Sequence, residues 1–135
     1  MKELSVRAVT GNLPLVLQFV DENPEALDCS PTDQMQVDVA VEEVFVNIAS
    51  YAYNPEEGPA VVRFETTQDP VSVIIGFMDR GVPYNPLARP DPDISLPLRE
   101  RQRGGLGIFL TRQYMDGVDY QYRDGQNILT LKKQI

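Results

Sequence analysis

SPTDQMQVDVAVEEVFVNIASYAY, residues 30–53, is the stretch on which the fold turns. Ser30-Pro31-Thr32-Asp33 reads as a helix start. The Ser30 hydroxyl can accept from orphan amides, Pro31 suits the first turn, and Asp33 sits three residues on. Val37, Val41, Val44, Phe45 and Ile48 then fall at i, i+4, i+7, i+8 and i+11. That single apolar stripe predicts a core helix running to about Tyr51. Beside the stripe, Glu43 and Asn47 are four residues apart and share a helix face. A carboxylate there can take a proton from a hydroxyl or a water. An amide oxygen can join a phosphate in ligating Mg²⁺. Taken alone, the pair reads first as the half-exposed polar flank of an amphipathic helix.

Before this helix, residues 3–9 alternate apolar and polar and predict a strand. Asn12 is placed to cap a helix whose apolar side is Leu13, Leu15 to Leu17, Phe19 and Val20, ending near Asn23-Pro24. After it, Asn54 to Pro59 is a loop. Val61 to Thr67 and Val71 to Met78 are strands around the turn Gln68-Asp69-Pro70 and should form a hairpin. Val71, Val73, Ile75 and Phe77 point one way, Ile74 and Met78 the other, so both faces are mostly apolar. After Asp79-Arg80-Gly81, the stretch to Arg103 is proline-rich and irregular, with the length of a lid or binding loop. A helix follows through Met115. Val118 to Tyr122 and Asn127 to Leu131 flank the turn Arg123-Asp124-Gly125-Gln126. The order β-α-α-β-β-loop-α-β-β predicts an α+β two-layer sandwich, with a mostly antiparallel or mixed sheet carrying its helices on one face.

The chain has 135 residues, 42% hydrophobic and 24% charged, which suits one globular domain spanning 1–135. Twelve basic against 20 acidic residues leave a net charge of −8. Such a field disfavours nucleic acid and anionic membrane surfaces. There is no histidine, which excludes Ser-His-Asp and Cys-His catalysis and histidine-ligated metals. Cys29 is the one cysteine, so no internal disulfide forms. No run approaches the roughly 18 apolar residues of a membrane span. The start does not read as a signal peptide, and the expected compartment is the cytoplasm.

Two further clusters carry chemistry. Asp79-Arg80-Gly81 ends an apolar strand; a carboxylate there can accept from an exocyclic amine such as adenine N6, and glycine lets a flat ring approach the backbone. Gly104-Gly105-Leu106-Gly107 opens a helix, where free amides can cradle phosphate. Arg99, Arg101 and Arg103 place a positive patch just before it. Each cluster is modest by itself, but in this order they supply a metal ligand, an adenine contact, a lid and a phosphate site.

In that order they resemble the Bergerat-type ATP-binding fold of gyrase, histidine kinases and mismatch-repair ATPases. The closest likeness is to the small bacterial anti-sigma factors that are serine-protein kinases. Glu43-x-x-x-Asn47 with Tyr51-Ala52-Tyr53 resembles the family's N-box. Asp79-Arg80-Gly81 resembles its first glycine box, and Gly104-Gly105-Leu106-Gly107-Ile108 its second. The resemblance implies a helical layer over a mixed sheet, with ATP between the helices and a lid. It implies that Asn47 coordinates Mg²⁺, that Asp79 contacts the adenine, and that Gly81 lets the base sit close. Gly104, Gly105, Leu106 and Gly107 would hold the phosphates, and Glu43 would be the general base. The implied substrate is a serine on a small anti-anti-sigma antagonist, with a sigma factor as the alternative partner and a homodimer as the assembly. A detached histidine-kinase-type catalytic domain and a non-catalytic nucleotide-binding adaptor are the alternative functions. The sequence departs from the family pattern in its lid, which lacks a Thr-Thr-Lys stretch, and at Gly125-Gln126-Asn127, where many members have Gly-Thr.

Overall fold

A computed structural model of the chain describes residues 2–22, 29–53, 56–68, 71–88 and 105–135. The alternating and apolar runs become one five-stranded sheet. Its strands are β1 (Lys2–Arg7), β2 (Pro59–Thr67), β3 (Ser72–Asp79), β4 (Gly117–Arg123) and β5 (Gln126–Gln134). They lie in the order β1-β2-β3-β5-β4, and every neighbouring pair runs antiparallel. The mixed sheet implied by the resemblance is thus antiparallel in all its pairings. The connections explain this. Two helices between β1 and β2 bring the chain back to the end it left. The single helix between β3 and β4 gives those two strands the same direction, but β5 lies between them.

Among the described residues the α-helices are α1 (Leu13–Asp21), α2 (Pro31–Asn47) and α3 (Gly105–Tyr114); α1 and α2 supply the core that covers the sheet, and α3 packs beside α2. Alternate strand residues Val62, Phe64, Val73, Ile75, Phe77, Leu129 and Leu131 face Val16 and Val20 of α1 and Val37, Ala40, Val41, Val44 and Phe45 of α2. The predicted stripe is therefore the core: Phe45 is fully buried, and a side chain of that kind contributes roughly 1.5–3 kcal/mol by leaving water. Val71, assigned by its alternation to the inner face, lies just outside β3 and is exposed.

The local signals behave unequally. Ser30 caps α2 as expected, accepting from the Asp33 amide at 3.1 Å, with Pro31 in the first turn. Asn12 precedes α1 but its side chain does not cap it; Nδ2 donates instead to the Arg7 carbonyl at 2.8 Å, tying the end of β1 to the helix. The last hairpin turns on Asp124 and Gly125, both at positive φ (54° and 77°), as a two-residue turn between twisted strands requires. The expected end of α1 at Asn23-Pro24, the Gln68-Asp69-Pro70 turn beyond Gln68, and residues 54–55 lie outside the described residues.

The end of α1 meets α2 through two neighbouring carboxylates, Asp21 and Asp38. Gln34 Nε2 donates to Asp21 Oδ1 at 2.6 Å and to Asp38 Oδ1 at 3.2 Å. Burial first, then the hydrogen bond and charge of Asp38, push the Asp21 carboxyl up from 3.8 to about 7.

Candidate active site

α2 does not stop cleanly at Asn47. Its last turn widens into a π-helical turn over Ile48–Ala52, a feature that often marks functional sites. This turn aims the Ala52 carbonyl at the exit of β3, where it accepts from the Val82 amide at 2.9 Å. Gly81 lies against the same carbonyl. A β-carbon there would stand 2.1 Å from the Ala52 oxygen and 2.5 Å from its carbon, so no side chain fits without moving backbone. Tyr53 completes the junction: its hydroxyl donates to Pro59 O at 2.6 Å and accepts from the Arg80 amide at 2.8 Å.

Asp79 is the last residue of β3 and lies opposite Asn127 in the β3–β5 register. It is 6% exposed. Its Oδ1 accepts from the Gly81 amide and from Asn127 Nδ2, both at 2.9 Å, the first closing an Asx turn. Asn127 Nδ2 also reaches Val82 O at 3.0 Å, and its Oδ1 accepts from the Tyr84 amide at 3.2 Å and from the Tyr120 hydroxyl. Burial raises the phenol pKa of both Tyr53 and Tyr120, which keeps those hydroxyls as donors.

A cleft opens between α2, the β3 exit and α3. Asn47, Tyr51, Asp79, Tyr84, Ile108 and Asn127 are among its walls. Tyr51 and Tyr84 meet at its rim, ring centroids 6.4 Å apart. Glu43 stands one turn before Asn47 and shares a hydrogen bond with it. Its carboxylate rests on Gly107 in the first turn of α3: a β-carbon at 107 would fall 2.1 Å from either carboxylate oxygen. Burial pushes the Glu43 carboxyl above its ordinary value. The Asn47 hydrogen bond opposes that rise and the neighbouring Glu42 charge adds to it.

Of the residues singled out in the sequence, Glu43, Asn47 and Gly107 therefore meet where α2 faces the start of α3, and Asp79 and Gly81 at the exit of β3; of these, Asn47 and Asp79 line the cleft itself. Gly105 and Leu106 are the first two residues of α3. Gly104 and the arginines 99, 101 and 103 lie outside the described residues. The bareness of Gly81 and Gly107 is used within the fold itself, by the Ala52 carbonyl and the Glu43 carboxylate. Tyr84, Tyr120 and the bracing contacts of Asn127 were not legible as site residues. Strand register, invisible in residue spacing, brings Asn127 and Tyr120 to Asp79, and Asn127 in turn holds the Tyr84 amide.

Residues 6–133 match the family model described as the histidine kinase-like ATPase domain. Over 93 residues the chain is 34% identical to the serine/threonine-protein kinase BtrW of Bordetella bronchiseptica, covering 69% of this chain and 65% of that one. It is 26% identical over 104 residues to the serine-protein kinase RsbW of Bacillus mycoides, covering 74% and 64%. It is 28% identical over 98 residues to a serine-protein kinase RsbW of Bacillus cereus, covering 70% and 60%. The chain thus spans less than two thirds of the length of these relatives. No helix among the described residues is long and apolar enough to cross a membrane.

Proposed function

Since this chain belongs to the histidine kinase-like ATPase domain family, we propose that it is an ATP- and Mg²⁺-dependent protein-serine kinase of the partner-switching type, acting in the cytoplasm, with residues 1–135 forming one domain. The observation that carries this reading is the pairing at the helix end of the cleft. A desolvated carboxylate, Glu43, is hydrogen-bonded to Asn47 and seated on the first turn of α3, and Asn47 shares the cleft lining with the buried acid Asp79.

The residues fit ATP. Asp79 offers a carboxylate at the cleft wall, suited to accept from the adenine amine. The start of α3 offers amides with the positive end of the helix dipole for the phosphates, through Gly105, Leu106 and Gly107, with Gly104 just before them. Asn47 fits Mg²⁺: its N–H group is directed to Glu43, which leaves the amide oxygen for a hard cation. The ion would supply charge neutralisation at the β- and γ-phosphates. Glu43 then takes the proton of a serine hydroxyl as its oxygen bonds to the γ-phosphorus. The bond to the bridging oxygen of ADP breaks, and ADP leaves with that electron pair. Phosphorylation adds close to two negative charges to the antagonist and breaks an interface by repulsion and desolvation. That would free the chain to hold a sigma factor, the second partner of the switch.

The test is label transfer. Purified chain with Mg²⁺ and ³²P-ATP should label a serine of the antagonist in an acid-stable bond. Acid-labile label would assign the chain to histidine phosphorylation instead. Nucleotide binding with no transfer to any cognate antagonist would leave only an adaptor. Asp79→Asn should weaken ATP binding by about tenfold, the scale of one hydrogen bond to a charged group, and leave GTP little affected in titration calorimetry.

A further inference from the structure

Asn127 lies opposite Asp79 in the strand register, and its surroundings explain the amide. A carboxamide offers two N–H donors and one oxygen with two acceptor positions. At residue 127 the protein itself fills all of them. The donors go to Asp79 Oδ1 and the Val82 carbonyl, and the oxygen receives the Tyr84 amide and the Tyr120 hydroxyl. The side chain is 7% exposed. It has nothing left with which to hold a ligand, yet it borders the cleft.

We propose that Asn127 is the positioning residue of the base-recognition end, acting through Asp79 and the 81–84 segment and not by contact with the nucleotide. This rests on the reading of the cleft as an adenine-nucleotide site. By occupying Oδ1 of Asp79 together with the Gly81 amide, it leaves Oδ2 as the oxygen that accepts from an exocyclic amine. By holding Val82 O and Tyr84 N, it fixes the loop that carries the rim tyrosine against Tyr51. One side chain therefore sets both the floor and the rim. A hydroxyl has one donor and so cannot serve Asp79 and Val82 together. A carboxylate at 127 would face Asp79 as a like charge.

The experiment uses the full chain with ATP and GTP as probes, in the unaltered protein and in Asn127→Ala and Asn127→Ser. Titration calorimetry should show the ATP Kd rising by at least about tenfold in Asn127→Ala and by less in Asn127→Ser. The GTP Kd should move less than about threefold, since guanine presents a carbonyl where adenine presents the amine, so the preference for ATP narrows. At saturating ATP, transfer should stay within about threefold of the unaltered rate, placing the loss in KM. Without nucleotide, hydrogen exchange at the Tyr84 amide should quicken while amides in the middle of β3 keep their protection. Unchanged ATP affinity in both variants, equal losses for ATP and GTP, or an unchanged Tyr84 amide would each overturn the role. If the unaltered chain binds neither nucleotide, the nucleotide reading itself falls, and this role with it. Variant behaviour alone cannot produce that result.

Discussion

At the sheet end of the cleft, Asp79, Gly81 and Asn127 are held by amides and carbonyls from three separate segments of chain. At the helix end, Glu43 and Asn47 are held by one another, one helical turn apart, and by the bare Cα of Gly107. The first end is a closed hydrogen-bond network on paired strands. The second is an acid on a helix flank, supported by a neighbour on its own helix and by a glycine. In the proposed kinase this difference separates recognition from chemistry. The base is read by groups cross-braced between strands and loop, while the proton is taken by a group held on a single helix.

The sharpest way to break the comparison is Glu43→Gln. Transfer should fall by roughly 10²–10⁴, the usual worth of a general base, with the ATP Kd within about threefold. A comparable loss of binding would show that the helix end also recognises, and the division of labour would be gone.

Next come the two glycines. Gly81→Ala places a carbon against the Ala52 carbonyl, which is backbone and cannot yield cheaply, so thermal or urea unfolding should show a loss of about 1–3 kcal/mol. Gly107→Ala meets first the far end of the Glu43 side chain, which can swing away. Its stability should change by less than about 1 kcal/mol, while transfer falls about tenfold because the base is displaced. If the two substitutions destabilise equally, the helix end is as rigid as the sheet end.

The smallest effect lies away from the cleft, at Asp21. Its folded pKa is raised above the unfolded value, so the folded state holds the extra proton. That stabilisation is complete below about 4 and is lost as pH rises through about 7. Asp21→Asn should match the unaltered melting temperature near pH 4 and exceed it by a few degrees at most near pH 8, since the site is partly solvated. A constant difference across that range would show that the Asp21–Asp38 pair does not share a proton.

Much of the helical layer was legible. The α2 stripe, the Ser30 cap and the Glu43–Asn47 pair all follow from spacing along one helix, and all three are realised. Element order was legible for the same reason: each run of apolar residues carries its own period. Asn12 was misread because a capping side chain has a competing acceptor, and the Arg7 carbonyl, brought close by β1, wins. The glycines were legible as bare positions but not as to what fills them. Gly81 faces a carbonyl 29 residues earlier in the chain and Gly107 an acid 64 residues earlier.

Contacts within a turn of helix depend on bond geometry that every helix shares, so Glu43 and Asn47 could be paired from residue numbers alone. Which strand lies beside which is settled only when the whole apolar surface of the sheet is buried at once. Inserting β5 between β3 and β4 is such a choice, and it alone sets Asn127 across from Asp79, 48 residues away. The helix end of this site is therefore written in local spacing, and the sheet end in the packing of the completed fold.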